Sequence, residues 1–339
     1  MNLLHLRTIN SATKSQIASL KHKVFILCTC LLLASCNSAP QNPMRIGTSL
    51  WPGYEPLYLA NHLKLLPAED FRLVEYPSTT QVIRAFRNNT LDAALMTIDE
   101  ALVMAEDKLE IEIILVLDHS TGANVIVSQP EIENFPELKG KTIAVEANTL
   151  GAFLIHNALE QYKMLPQDLN IVPLGVSEHQ SAFIKKEVDA VLTSEPVRTK
   201  IINLGANELF STREIFGQVY DVLVVRKSYL REHKLRASAL TTAWFKAIDY
   251  FRQHNDEATA VMSARMQITP SEVINSYRGL SLCNLKCNQK MLNKANGSLQ
   301  NKMLTLAKTM KRYNLMENIP DISLLLNDKY VRKNEDHSG

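Results

Sequence analysis

Beyond residue 34 the 339-residue chain has no apolar run approaching the roughly 20 residues that a spanning helix needs. Membrane passage by a helix after that point is excluded. A charge excess of one sign is also missing. The chain has 37 Lys and Arg against 35 Asp and Glu, and part of the formal +2 sits in a basic N-terminal segment. No polybasic surface for nucleic acid is implied. The common catalytic signatures are absent as well. There is no G-x-S-x-G elbow, no H-E-x-x-H helix and no phosphate-cradling G-x-x-x-x-G-K, which argues against the usual hydrolase and nucleotide-binding chemistries. His62, His119, His156 and His179 are scattered, so no catalytic set, metal or cofactor is expected.

What is present starts at the N-terminus. Arg7, Lys14, Lys21 and Lys23 precede an apolar run at residues 24–34, too short to span and of the form of a secretory signal. L-A-S-C at residues 33–36 resembles the lipobox of bacterial lipoproteins. That resemblance implies cleavage before Cys36, diacylglyceryl on its thiol and anchoring by buried acyl chains. A plain signal peptide that happens to contain cysteines is the simpler alternative. Residues 36–43, C-N-S-A-P-Q-N-P, form a polar tether with two prolines. Asn37 after the cysteine, in place of Asp, implies by the same resemblance the outer membrane in a Gram-negative cell. Of five cysteines, Cys28 and Cys30 leave with the signal at 1–35, and Cys283 and Cys287 remain as a possible disulfide or as free thiols. C-N-L-K-C offers too few ligands for a metal.

About 300 residues follow the tether, enough for two lobes at roughly 100–200 residues per domain. Residues 44–48 read as a strand, 57–65 as a helix, 71–76 as a strand, and 82–86 as a helical face capped by residues 79–81. Strand 91–96 and helix 98–105 continue a β-α-β-α alternation that predicts a parallel sheet covered on both sides. Strand 112–117 runs through a polar stretch, 118–124, into strand 125–128, the pattern of a crossing between lobes. The alternation then restarts, with strands at 142–145, 170–173 and 190–192 and helices at 150–162 and 180–186. Strand 220–225 is the expected return crossing. Helices at 230–255, 257–266, 270–280 and 288–314 follow, with a loop at 281–286. The expected division is lobe one at 44–120 and 223–331, lobe two at 121–222, and a disordered tail at 332–339.

This plan resembles a type II periplasmic solute-binding protein: two doubly wound α/β lobes, joined by two crossings, with a helical C-terminal segment packing on lobe one. I-G-T-S-L-W-P-G-Y-E-P-L-Y-L-A at 46–60 is similar to the first loop of the NMT1/THI5-like family, which serves nitrate, sulfonate, taurine and thiamine-precursor ABC importers. Q-V-I-R-A-F-R-N-N-T-L-D-A-A-L-M-T-I-D-E-A at 81–101, L-K-G-K-T-I-A-V-E at 138–146 and V-D-A-V-L-T-S-E-P at 188–196 extend the match. The resemblance implies a monomeric, non-enzymatic binder that captures a small organic molecule and passes it to an ABC permease. A sensor lipoprotein signalling to a membrane kinase or cyclase is the alternative. Fungal pyrimidine-synthase relatives are enzymes with a C-C-C-F-C motif that this chain lacks.

In open α/β sheets, ligands lie off the carboxyl ends of strands, against helix N-termini with unpaired amides. Ser49, Trp51, Tyr54 and Glu55 fall in the first such turn, Thr79, Thr80 and Gln81 in the second, and Thr149, Leu150 and Gly151 in the third. Helix capping alone would account for Thr79 or Thr80. Trp51 and Tyr54 read as an exposed aromatic pair aimed by Pro52-Gly53, able to stack on a flat ligand. Thr97 and Asn124 complete the polar set. Acids gather where the cleft should be, at Glu55, Asp99, Asp118, Glu146, Glu195 and Asp221, with no matching set of Lys or Arg. That balance leaves two ligand classes open: an aminopyrimidine or amine, and an organic anion such as a sulfonate held by amides.

Overall fold

The computed structural model describes residues 42–215 and 217–332. The signal segment, Cys36, most of the tether and the tail after 332 lie outside the described residues.

Strand β1 (Met44–Ser49) leads through a 3-10 turn, Pro52–Tyr54, into helix α1 (Glu55–His62). Then come β2 (Phe71–Tyr76), α2 (Thr79–Arg87), β3 (Ala93–Thr97), α3 (Ile98–Glu106) and the long β4 (Ile111–Ser120). All five residues of β3 are buried, as a strand covered on both faces requires. The second lobe contains β5 (Asn124–Ser128), β6 (Thr142–Val145), α4 (Thr149–Gln161), β7 (Asn170–Pro173), α5 (Val176–Ile184), β8 (Ala190–Ser194), α6 (Val197–Ile202) and β9 (Asn207–Ser211). The chain returns along β10 (Tyr220–Arg226). It continues as α7 (Lys227–Glu232), α8 (Lys234–Gln253), α9 (Asn255–Met266), α10 (Pro270–Ser276), β11 (Leu280–Leu282), α11 (Leu285–Leu292) and α12 (Ser298–Arg312).

Two mixed sheets result, one ordered β11-β4-β10-β3-β1-β2 and the other β7-β6-β8-β5-β9. In the first, β1 pairs in parallel with β2 and β3, while β10 runs antiparallel to both β3 and β4. The two segments that join the lobes are therefore cross-strand neighbours in one sheet. A smaller apolar core inside the second lobe gathers Val125, Val127, Ala144, Phe183 and Val191.

Several elements differ from the sequence reading. The polar stretch 118–124 is strand up to Ser120, and only residues 121–123 turn, with Gly122 at φ +128°. Helix α2 is capped by Ser78, whose Oγ accepts from Gln81 N at 3.4 Å, so residues 79–81 are its first turn rather than its cap. α6 and β9 were not expected from sequence. The helix expected at 288–314 is two, parted before Gly297 at φ +60°, and that at 230–255 breaks at His233. Residues 280–282 form β11 against β4, and a disulfide joins Cys283 to Cys287 just beyond it.

Candidate ligand cleft

The carboxyl ends of β1, β3, β6 and β8 open into one cavity enclosing about 860 Å³ of empty space, part of it open to solvent. Its wall includes Ser49, Trp51, Tyr54, Thr79, Thr97 and Asp221 from the first lobe and Asn124, Glu146, Leu150 and Gly151 from the second. These are ten of the residues that the sequence singles out. Glu55, Thr80, Gln81, Asp118, Thr149 and Glu195 are not on the wall.

The aromatic turn is built from below. Pro52 begins the 3-10 turn, and Tyr277 OH donates to Pro52 O at 2.6 Å, fastening the turn to the segment after α10. Trp51 Nε1 donates to Asp118 Oδ2 at 3.2 Å, and Tyr54 OH donates to Asp221 Oδ1 at 2.5 Å. Trp51 and Tyr54 are thus 6% and 3% exposed, not an exposed pair as the sequence suggests. Each presents part of its ring to the cavity while its polar tip is spent on an acid beneath. Gly53 has no room for a Cβ because Asp118 Oδ2 and Trp51 Nε1 already occupy that place.

Asp118 and Asp221 stand opposite each other on β4 and β10. Burial raises the Asp118 carboxyl well above the carboxylate range, with the charge of Asp221 adding to the effect. Burial likewise pushes Asp221 up to about 6. Beside them Thr97 sits at the N-cap of α3, and its backbone N–H donates to Glu100 Oε2 at 3.1 Å. Glu100 is 2% exposed and lines the cavity, and burial raises its carboxyl well above the ordinary range. Asp99, buried behind it, is pushed up to about 7.

Across the cavity, Glu146 Oε1 accepts from Thr80 N at 2.8 Å and from Thr80 Oγ1 at 2.7 Å. A carboxylate of the second lobe thereby occupies the amide-rich start of α2, the place where a bound anion would find its donors. Ser49 and Thr79 touch through their hydroxyls at 3.2 Å, and Asn148 Oδ1 caps α4 by accepting from Gly151 N at 2.8 Å. Gly151 packs so closely on Glu146 O that a Cβ has no space.

The residues off the wall have other work. Glu55 is 1% exposed and paired with Arg265 Nε at 3.1 Å. Burial still pushes it up to about 7 against the pull of that guanidinium. Arg265 also reaches Glu75 and covers the Tyr58 ring at 3.3 Å. Glu195 is held by Arg198 Nη1 at 2.9 Å and by Thr199 N at 3.1 Å. Thr80 serves Glu146, Gln81 points to solvent, and Thr149 begins α4 half-buried.

The sequence reading omitted Glu100, Leu192, Thr193, Ser194, Val176, Ser177 and Val197, all of which line the cavity. The strand-end rule that found the other turns applies equally to the end of β8. Leu192, Thr193 and Ser194 carry neither charge nor aromatic ring, so nothing in their chemistry marks them out beside Glu195. Lysine, arginine and histidine do not occur among the lining residues.

Residues 53–258 match the family described as NMT1/THI5 like. A putative ABC transporter periplasmic binding protein of Brachyspira hyodysenteriae is 23% identical over 248 residues, covering 67% of this chain and 70% of that protein. Among solved structures, the alkanesulfonate-binding protein SsuA from Xanthomonas axonopodis pv. citri, bound to MOPS, superposes with a TM-score of 0.68. The identity is 16%, over 85% of this chain and 98% of that one. The desulfurization enzyme DSZB shares the fold too, with a TM-score of 0.62 at 12% identity over 86% of this chain and 98% of that one.

Proposed function

The chain belongs to the NMT1/THI5-like family of periplasmic solute-binding proteins, and from that premise we propose that it captures a small organic molecule between its lobes and delivers it to an ABC permease. In this reading, lipid on Cys36 anchors the protein outside the cytoplasm. The lobes open about residues 118–124 and 218–222 and shut on the ligand. A ligand favours the shut form only by its differential affinity for it.

The observation that carries the reading is a cavity walled by strand ends and helix starts of both sheets, so that a guest touches both lobes at once. Because DSZB has the same fold, architecture alone leaves turnover open. The wall itself favours binding. Its two aromatic tips are tied to Asp118 and Asp221, and neither cysteine nor histidine is among its lining residues.

Mass spectrometry of small molecules released from protein purified out of its native cell tests the reading; a stoichiometric, unmodified organic molecule is expected. Trp51→Ala should weaken rebinding of that molecule at least about tenfold, through lost aromatic contact. The lobe should remain folded by circular dichroism, and unchanged affinity would remove Trp51 from the site.

A further inference from the structure

We propose that the floor of this cleft is a subsite for a protonated amine, with Glu100 as its counter-ion, so that the captured molecule is a small organic ammonium. The proposal rests on reading the cleft as the ligand site, and it goes further by fixing the ligand's charge.

Four buried polar atoms of cavity-wall residues have no hydrogen-bond partner among the described residues: Thr97 Oγ1 and Glu100 Oε1 from the first lobe, and Asn124 Oδ1 and Thr193 Oγ1 from the second. All four side chains belong to residues more than nine-tenths buried. Burying such an atom without a partner is unfavourable, so each is a position where an incoming group gains by hydrogen bonding. Asn124 offers an acceptor, the Thr97 and Thr193 hydroxyls can accept, and Glu100 Oε1 becomes an acceptor when its carboxyl ionises against a bound cation. A group with several N–H donors is the chemical match to a set of acceptors of this kind.

Charge points the same way. Asp221 already takes the Tyr54 hydroxyl, and one oxygen of Glu146 is spent on Thr80. Glu100, a wall residue, accepts from Thr97 N with Oε2, and its Oε1 is buried without a partner among the described residues. An anion in the same place would meet Glu100, Glu146 and Asp221 with no lysine, arginine or histidine on the wall. The α2 amide at Thr80 that would favour an anion is occupied by Glu146. Trp51, Leu50 and Leu150 leave an apolar flank for the rest of the molecule.

The groups facing Glu100 are all acids or phenols: Asp99 on its own helix, Glu146 from the second lobe, and Tyr54 from the aromatic turn. Burial, followed by the charge of Asp99, raises the Glu100 carboxyl well above the ordinary carboxylate range, so it gives up its proton less readily than a free carboxyl until a cation pairs with it. An ammonium takes that proton's place, and the proton leaves to solvent. Affinity for an ammonium should accordingly tighten as pH rises.

The test is a panel of alkyl- and arylalkyl-ammonium chlorides, each matched with the alcohol and the sulfonate of the same skeleton. It is screened by thermal shift and then by calorimetry on the whole mature protein. The expected result is binding confined to ammonium members, with affinity rising from acid to neutral pH. Glu100→Gln, which keeps the bond to Thr97 N but removes the charge, should cost at least about tenfold in that affinity. The variant's melting temperature should not fall, since a neutral isostere replaces a buried acid. If it fails to fold, Thr193→Val and the pH series on the unaltered chain decide. Binding of sulfonates or alcohols without ammonium ions, or ammonium affinity that weakens with rising pH, overturns the subsite and leaves the solute-binding reading intact. A panel in which no class binds counts against both.

Discussion

Asp118 and Asp221 lie opposite each other in the sheet beneath the cleft, and burial raises both, Asp221 to about 6. Asp99 and Glu55 are each pushed up to about 7 by the same cause. An acid whose folded value is raised binds its proton more tightly in the native state. Its contribution to stability is complete below the ordinary carboxylate range and is lost as pH climbs through the folded value. The melting temperature should therefore fall between roughly pH 5 and pH 8, and Asp118→Asn should flatten that limb. His179 acts in the opposite sense: burial lowers it to about 4, so its contribution is complete above 6.5 and fades as pH falls through 4. A scan in which Asp118→Asn and the unaltered chain keep the same slope above pH 5 would show that Asp118 is not part of the effect. At this scale the sequence makes the chemistry legible better than the placement. Trp51 and Tyr54 are recognisable as site aromatics, yet their burial depends on acids 67 and 167 residues away. Glu55 reads as a cleft acid because Arg265, its partner, lies 210 residues down the chain.

Among elements, the three-residue β11 has a role out of proportion to its length. It pairs with residues 118–120 of β4, and Gly279 O just before it accepts from Thr121 N at 2.8 Å. A Cβ on Gly279 would lie 2.8 Å from Ala123 N and from the Gly122 carbonyl carbon, both backbone atoms with little room to yield. Gly279→Ala is expected to lower stability by about 1–3 kcal/mol, as overpacking does, measured as a shifted urea midpoint. An unmoved midpoint would mean that the turn at 121–123 gives way freely. Strands such as β2, β6 and β7 are legible from alternation or β-rich composition at their observed bounds. A three-residue strand has no period to read, and the break before Gly297 rests on one left-handed residue inside an otherwise helical pattern. Helix α6 and strand β9 of the second lobe lacked a long enough apolar run to stand out.

For the molecule as a whole, Thr80 and Glu146 form a polar clasp between lobes, and the packing of Tyr313 on His156 and Phe153 and the Arg312–Glu160 pair also join α4 to the segment at the end of α12. Glu146→Ala should shift the ligand-free population toward an opened form by about tenfold, the order of magnitude of a hydrogen bond to a charged group. Small-angle scattering would register this as a larger radius of gyration, reversed by ligand. A radius equal to that of the unaltered chain would show that the aromatic packing alone holds the lobes. The two-lobe α/β plan was legible from the repeated strand–helix alternation and the family motifs. The clasp was not, since Glu146 and Thr80 read as ligand-facing residues of two separate turns until the sheets are brought face to face.

Because β4 and β10 are antiparallel neighbours, with Ser120 N bonded to Val219 O and His119 level with Tyr220, everything between them is in topological terms one oversized hairpin tip. Deleting that tip and splicing a tight two-residue reverse turn across the gap would preserve every strand pair of the remaining six-stranded platform. The same geometry explains how such an architecture could be assembled by inserting one ready-made module into the bend of another without disturbing its host.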